Sequence, residues 1–304
     1  MKVPRTDHEF GSQDTDLKLS VIETYLRTYT RALTGKWPEI WYIDAFAGTG
    51  SRTVRVAARG GDLFDEAVPG QVEQRRGSAQ IALDVEPQFT RVIFMEQNPR
   101  YCAALRELRT NYPDRKIDII EGDANEHIKS GASWEGWQRT RAAMLLDPYG
   151  MSVEWETLKA VAETKAIDVW YLFSLSGLYR QAARRIEDVD SKKRGAITRM
   201  LGTNAWEHEL YAAPPQRNLL SALDDPAELQ RTADVQGLQR YIRGRLSEIF
   251  PTVLDPLPLP LNRKPQRFSL FFAVSNPDPR AIGLATKFAN YALKAGRSSQ
   301  VRPR

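Results

Sequence analysis

Four acids, Asp44, Glu96, Asp123 and Asp147, each stand at or just after the end of a short apolar run. The first lies in Tyr42-Ile43-Asp44-Ala45-Phe46-Ala47-Gly48-Thr49-Gly50-Ser51, where such a run ends in an acid and turns through two glycines. Gly48 and Gly50 let the backbone approach a bound molecule with no Cβ in the way. The missing third glycine and the long gap to the next acid argue against a dinucleotide fingerprint, and no Gly-Lys-Ser/Thr follows to make a phosphate-binding P-loop. Glu96 precedes Gln97-Asn98-Pro99, Asp123 lies in Gly122-Asp123-Ala124, and Asp147 opens Asp147-Pro148-Tyr149-Gly150. A carboxylate such as Glu96 can accept both hydroxyls of a ribose, and Asp123 can accept from an adenine amino group. Acids at strand ends also cap the helices that follow. Capping explains any one of the four easily and all four together less well, so the set points to a nucleoside-type cofactor.

Such a site needs strands that set these residues down at one edge of a sheet. Short apolar runs at Trp41–Ala45, Arg91–Met95, Lys116–Ile120, Ala142–Leu146 and Ile167–Phe173 predict five strands. Helical spacing predicts helices over Asp16–Leu33, Gly77–Glu86, Glu154–Thr164 and Pro99–Thr110, the last with proline near its first turn. Strands separated by helices imply βαβ units, hence an α/β fold with a mostly parallel twisted sheet and helices on both faces. In open sheets of this kind ligands bind at the carboxyl ends of the strands, where the four acids fall.

Two stretches interrupt the rhythm. Arg55–Arg76, with several glycines and Pro69, reads as an inserted surface loop or short helices. Gly177 to about Pro265 reads as a helix-rich insertion or cap, closed by the run PTVLDPLPLPLNRKP, whose prolines forbid helix and disfavour a central strand. Arg267–Val274 returns as a strand that should add to the sheet near the fifth, and Pro279–Lys294 as a last helix. The expected organisation is a core over residues 1–176, the insertion over 177–265, and the last strand and helix with a basic tail over 266–304.

At 304 residues, 42% hydrophobic and 27% charged, the chain has the composition of an ordinary globular protein rather than a disordered one. It has no apolar run near the ~18 residues of a spanning helix, so no membrane role is expected. No apolar signal segment opens it, which makes the cytoplasm the expected compartment. The single cysteine, Cys102, excludes an internal disulfide and any cysteine-based metal cage, and reads as a small core residue. His8, His127 and His208 lack metal-ligand spacing, so no metal is expected. Trp134, Trp137, Trp155, Trp170 and Trp206 read as packing anchors rather than a base-stacking set. Charge is uneven: Pro260–Arg304 holds nine basic residues against Asp278, a net +8, so residues 1–259 carry −3 of the total +5. A second cluster runs from Arg180 to Arg199. A nucleic acid held through the basic C-terminal segment fits this asymmetry, and so does a merely solvated face.

The ordered set D-x-F-x-G-x-G, E-x-N, G-D-A and D-P-Y resembles the class I S-adenosylmethionine-dependent methyltransferases, a Rossmann-like fold. More narrowly, YIDAFAGTGSR, FMEQNPRY, GDANEHI, LLDPYGMSVEW and FFAVSNP are similar to the three-Cys-motif partner proteins, over most of residues 16–175 and again 267–294. The resemblance implies S-adenosylmethionine as cofactor, with Asp44, Phe46, Gly48 and Gly50 around its methionine part. It places Glu96 and Gln97 at the ribose, and Asp123 with Ala124 at the adenine. It implies a catalytic role for Asp147, Pro148 and Tyr149. In amino-methyltransferases a D/N-P-P-Y/F motif orients an exocyclic amine, the acid and a backbone carbonyl accepting its hydrogens while the aromatic stacks on the base. Here the second proline is absent and the aromatic comes one position early. The implied activity is methyl transfer to a nucleobase amine or other nucleic-acid-related acceptor. A catalytically silent partner subunit of a three-cysteine-motif protein, and a methyltransferase for small molecules or proteins, remain the alternatives.

Overall fold

The computed structural model describes residues 8–56, 71–213 and 229–301. Helix α1 (His8–Leu33) buries Val21, Ile22, Tyr25, Leu26 and Tyr29, the residues whose spacing predicts it. Strand β1 (Glu39–Asp44) follows, then β2 (Ser51–Val56), β3 (Gln71–Arg76) and the short helix α2 (Ser78–Leu83). Next come β4 (Arg91–Glu96), α3 (Pro99–Thr110), β5 (Ile117–Glu121), α4 (Ala124–Gly131), β6 (Thr140–Leu146), α5 (Trp155–Glu163) and β7 (Ile167–Ser174). Beyond it lie α6 (Leu175–Gln181), α7 (Ser191–Leu201), α8 (Trp206–Glu209), β8 (Tyr211–Ala212), β9 (Gln230–Arg231) and α9 (Val235–Ser247). Strands β10 (Thr252–Val253), β11 (Leu257–Leu259) and β12 (Phe268–Val274) precede the last helix, α10 (Pro279–Val301). The protein is of the expected α/β class, Rossmann-like, its sheet mostly parallel with helices on both sides. No helix among the described residues is long and apolar enough to cross a membrane.

The chain divides into two compact units: the residues up to Ala124 with Gln138–Leu145 and those from Gly283 on, and Asn125–Trp137 with Leu146–Ile282. In the first unit the strands run β6-β1-β4-β5, all parallel. The chain steps from β1 outward through β4 to β5 and returns as β6 on the other side of β1, which makes the carboxyl end of β1 a topological switch point. Ile40–Asp44 and Val92–Glu96 are buried without interruption. Such unbroken runs are what a parallel strand covered on both faces requires.

One expectation fails in this unit. The described ends of the Arg55–Arg76 stretch are neither loop nor helix: β2 and β3 pair antiparallel from Ser51↔Arg76 to Val56↔Gln71. Residues 57–70, where the glycines and Pro69 fall, lie outside the described residues. β-Branched Thr53, Val54, Val56 and Val72 favour extended backbone, a preference outweighed in the sequence by the glycines between them. Two arginines anchor the base of this ribbon. Arg75 pairs with Asp16 at 2.8 Å, and Arg76 reaches Glu23 at 3.2 Å and Asp84 at 3.1 Å.

In the second unit β12 pairs antiparallel with β7 along its whole length, from Phe268↔Ser174 to Val274↔Asp168, as its sequence predicts. The proline run supplies two short strands beside β12: β10 joins at Ala273 and Val274, β11 at Phe268–Leu270. Pro258 sits inside β11, a position open to proline because among the described residues β11 pairs on one side only. Helices α6 to α9 lie between β7 and β12 in the chain. Helix α7 is capped by Asp190, which accepts from the Lys193 N–H, and stops at Gly202 with φ +69°. A Cβ on Gly202 would stand 1.9 Å from the Trp155 ring, and Arg245 covers that ring at 4.6 Å. Trp155, Trp170 and Trp206 are buried anchors as expected, but Trp134 is exposed, meeting Trp137 edge-on at 5.6 Å.

Candidate functional site

The glycine turn is held from both sides. The Ala45 N–H donates to the Leu145 carbonyl at the end of β6, and the Ala47 N–H to the Met95 carbonyl of β4, each at 3.1 Å. The fully buried Asp44 carboxylate accepts the Tyr42 hydroxyl at 3.2 Å, so its role in the described geometry is to fix the turn's entrance. Gly48 has φ +61° and Gly50 φ +78°, both in the left-handed region that favours glycine. Their surroundings differ. A Cβ on Gly48 would meet nothing within 4 Å, whereas one on Gly50 would stand 2.6 Å from Leu108 Cδ2 and 3.3 Å from Leu105 Cδ2.

Glu96, 7% exposed, ties the strand ends together. Its Oε2 accepts the Gly48 N–H at 2.9 Å and its Oε1 the Asn98 N–H at 2.8 Å. Its backbone carbonyl accepts the Gly122 N–H at 3.1 Å and the Cys102 thiol at 3.2 Å. The ends of β1, β4 and β5 therefore meet at one residue. Each carboxylate oxygen keeps a further lone pair after its backbone bond, which leaves acceptor capacity for ligand hydroxyls. Burial pushes the Cys102 thiol up, which keeps it protonated as a donor rather than a nucleophile. Asp123 and Gln97 are exposed, Phe46 is half-buried and Ala124 is buried. Gly122, at φ +143°, turns the chain from β5 toward Asp123.

A third glycine does belong to the turn, and sequence spacing hides it. Gly77 lies just past the ribbon, and its N–H donates to the Gly50 carbonyl at 3.0 Å. A Cβ there would come within 2.6 Å of that carbonyl oxygen and 2.8 Å of its carbon. The chain leaves the turn at Gly50, runs out and back along β2 and β3, and resumes at Gly77 to start α2. The signal was present as Gly77-Ser78-Ala79 before an apolar helical run, with 26 residues separating it from Gly50.

Asp147, Pro148 and Tyr149 belong to the second unit. Asp147 and Pro148 are half-buried, Tyr149 is 74% exposed, and Gly150 has φ +72°. The loop they open is secured by Asn125, a residue that carried no role in the sequence reading. Buried Asn125 donates to the Ser152 carbonyl at 2.9 Å, and its Oδ1 accepts the Glu154 N–H at 3.0 Å and the Thr157 hydroxyl at 2.8 Å. Lys129 pairs with Glu154 at 2.8 Å beside it. Asn125→Leu should cost about 2–4 kcal/mol, because buried partners left unpaired cost ~1–3 kcal/mol each. A urea-denaturation series that shows the variant as stable as the parent would remove this knot. Among the described residues no group of three or more His, Cys, Asp or Glu could hold a metal ion.

The glycine turn and Glu96 lie at the switch point, the place where open sheets of this fold class bind ligands. No protein-family model matches the chain, and no curated protein does. Among solved structures it is similar to protein LPL1258 of Legionella pneumophila, assigned to the family model DUF519, at 12% identity and TM-score 0.44, over 88% of this chain and 89% of that one. It is similar to a conserved hypothetical protein of Streptococcus pyogenes at 15% identity and TM-score 0.29, over 49% of this chain and 77% of that one. It is also similar to an S-adenosylmethionine-dependent methyltransferase of Clostridium acetobutylicum at 10% identity and TM-score 0.37, over 83% of this chain and 91% of that one. The functional reading therefore rests on the site's own geometry and the motifs it contains.

Proposed function

We propose that the protein is an S-adenosylmethionine-dependent methyltransferase of the three-Cys-motif partner type, acting on a nucleobase amine or other nucleic-acid-related acceptor. One observation carries this reading. The Gly48 backbone faces open space at a positive φ, and Glu96, the acid assigned here to the ribose, is bonded to that same turn. These residues fit a nucleoside cofactor. Gly48 offers close backbone approach, Glu96 and Gln97 serve the ribose, and Asp123 with Ala124 serves the adenine. Phe46 and Gly50 shape the methionine end over the foundation that Asp44 supplies.

Bound S-adenosylmethionine supplies a methyl group already activated on its sulfonium. The protein's contribution is alignment and exclusion of water. Asp147 accepts a hydrogen of the amine, Pro148 sets the backbone, and Tyr149 stacks on the base. A neutral exocyclic amine needs little deprotonation before attack, so no histidine base is required. A second reading, a silent partner subunit, is favoured by Gly150 standing where the motif's aromatic would be.

Isothermal titration with S-adenosylmethionine tests the first step, and failure to bind would end the reading. Transfer of labelled methyl to single-stranded DNA, duplex DNA, RNA and a small-molecule extract tests the second. Binding without transfer to any acceptor would establish the silent subunit. Asp147→Ala should slow transfer about tenfold or more, the loss of one charge-assisted bond, with cofactor affinity unchanged. Normal turnover in that variant would reduce Asp147 to a strand-end cap.

A further inference from the structure

Helix α10 presents a regular exposed stripe. Leu284, Lys287, Tyr291, Lys294 and Ser298 follow one another at alternating steps of three and four residues, and all are exposed, Tyr291 at 61%. That spacing puts them in one line along a helix. Arg297 is exposed one position from the line's end. The helix has no acidic residue from Pro279 to Val301. Among the described residues Lys287, Lys294 and Arg297 have neither an ion pair nor a side-chain hydrogen bond. The opposite side is filled: Ala285, Phe288, Ala289, Ala292 and Leu293 are buried, and Gly296 lies close enough that a Cβ would stand 2.5 Å from Val21 of α1.

We infer that this stripe is a docking surface for single-stranded nucleic acid. Acids three or four residues away would stabilise such lysines on a helix, and here every such position on the helix lacks one. Charge complementarity selects the occupant. A second copy of the chain would set Lys287 and Lys294 against their own kind with no acid on the helix to relieve them, so self-pairing is disfavoured. A polyanion relieves all three cations at once. Tyr291 chooses among polyanions, because it stands between Lys287 one turn before and Lys294 one turn after. The two ammonium groups spring from positions about 10.5 Å apart along the axis at 1.5 Å per residue. An aromatic face flanked by cations is the arrangement that stacks an unpaired base while its neighbouring phosphates are neutralised. A duplex keeps its bases stacked on one another and offers Tyr291 nothing. The inference extends the proposed acceptor class, but its test passes through neither cofactor nor catalysis.

The test is fluorescence anisotropy with a labelled twenty-nucleotide thymidine strand, the matching duplex, and phosphatidylserine-containing vesicles, using the full chain across a salt series. The single strand should bind best, with log K falling against log salt by about 0.7 per phosphate contact. Tyr291→Ala should weaken the single strand about tenfold while Tyr291→Phe retains binding. Lys287→Ala with Lys294→Ala should flatten the salt slope by about 1.4. All these side chains are exposed, so thermal unfolding of each variant should match the parent and exclude misfolding as the cause. Unchanged affinity and slope in the variants would overturn the inference, as would vesicle binding without oligonucleotide binding, or equal binding of strand and duplex with Tyr291→Ala silent. Titration with S-adenosylmethionine on the same samples reads the methyltransferase proposal separately, so either can fail alone.

Discussion

Glu96→Ala should unfold at markedly lower urea and bind S-adenosylhomocysteine more weakly, two losses with separate causes. The carboxylate accepts the Gly48 and Asn98 N–H groups at 2.9 and 2.8 Å in a nearly buried setting. Alanine leaves both donors without an acceptor, and at ~1–3 kcal/mol each the expected loss is about 2–4 kcal/mol before any ligand is added. Glu96→Gln keeps the shape and one accepting oxygen, so it strands one donor and should fall between alanine and the parent. The second loss is the ribose contact itself, ~1.5–3 kcal/mol for bonds to a charged acceptor. Denaturation of the ligand-free variants measures the clamp, and calorimetry with S-adenosylhomocysteine measures the ribose contact. Reduced stability with unchanged affinity would leave Glu96 a purely structural clamp. Unchanged stability would mean that the clamp does not form in solution.

Gly77→Ala should be strongly damaging for a single added methyl. The backbone at Gly77 has φ −87°, which alanine adopts freely, so the whole cost is steric. The new Cβ would stand 2.6 Å from the Gly50 carbonyl oxygen and 2.8 Å from its carbon. Both are backbone atoms at the foot of the turn, with no rotamer through which to yield. Overpacking of this kind costs ~1–3 kcal/mol and shifts the backbone, and here the displaced atoms are those that shape the glycine turn. Gly48→Ala offers the contrast. Its methyl meets nothing in the ligand-free protein, so only the left-handed φ costs, ~1–2 kcal/mol. That methyl points into the space where a cofactor would lie, so its larger effect should be on affinity. Melting temperatures and calorimetric affinities of the two variants check this. A Gly77→Ala protein as stable as the parent would show that the turn is looser than described.

The parallel strands were legible because both their faces are covered, which writes them as unbroken apolar runs with an acid at the end. β1 and β4 follow their sequence predictions to within two residues at either end. The antiparallel β12 was legible for the same reason, since Ser269–Val274 is buried without interruption. What escaped depends on partners distant in the chain. The β2–β3 ribbon joins residues up to 25 positions apart, and local reading saw only the glycines and Pro69 between them. Gly77 belongs to the glycine turn only because the ribbon brings it back to Gly50. Asn125 sits inside the quoted GDANEHI, yet its task is to bond Ser152, Glu154 and Thr157, and no spacing rule announces that. Asp44 and Glu96 were read as ligands. The structure shows structural bonds at both, Asp44 accepting the Tyr42 hydroxyl within β1 and Glu96 accepting the Gly48 N–H of the turn.

The pairing of Ser51 with Arg76 closes the neck of the ribbon, while Gly50 and Gly77 already touch beneath it. Whatever lies beyond that neck begins and ends at the same place. Lengthening such an excursion costs only logarithmically in chain entropy, about 0.6 kcal/mol for each doubling. The arm can therefore be drawn out, trimmed or exchanged over evolution, or grafted by design, while the glycine turn, the Glu96 clamp and the start of α2 stay put.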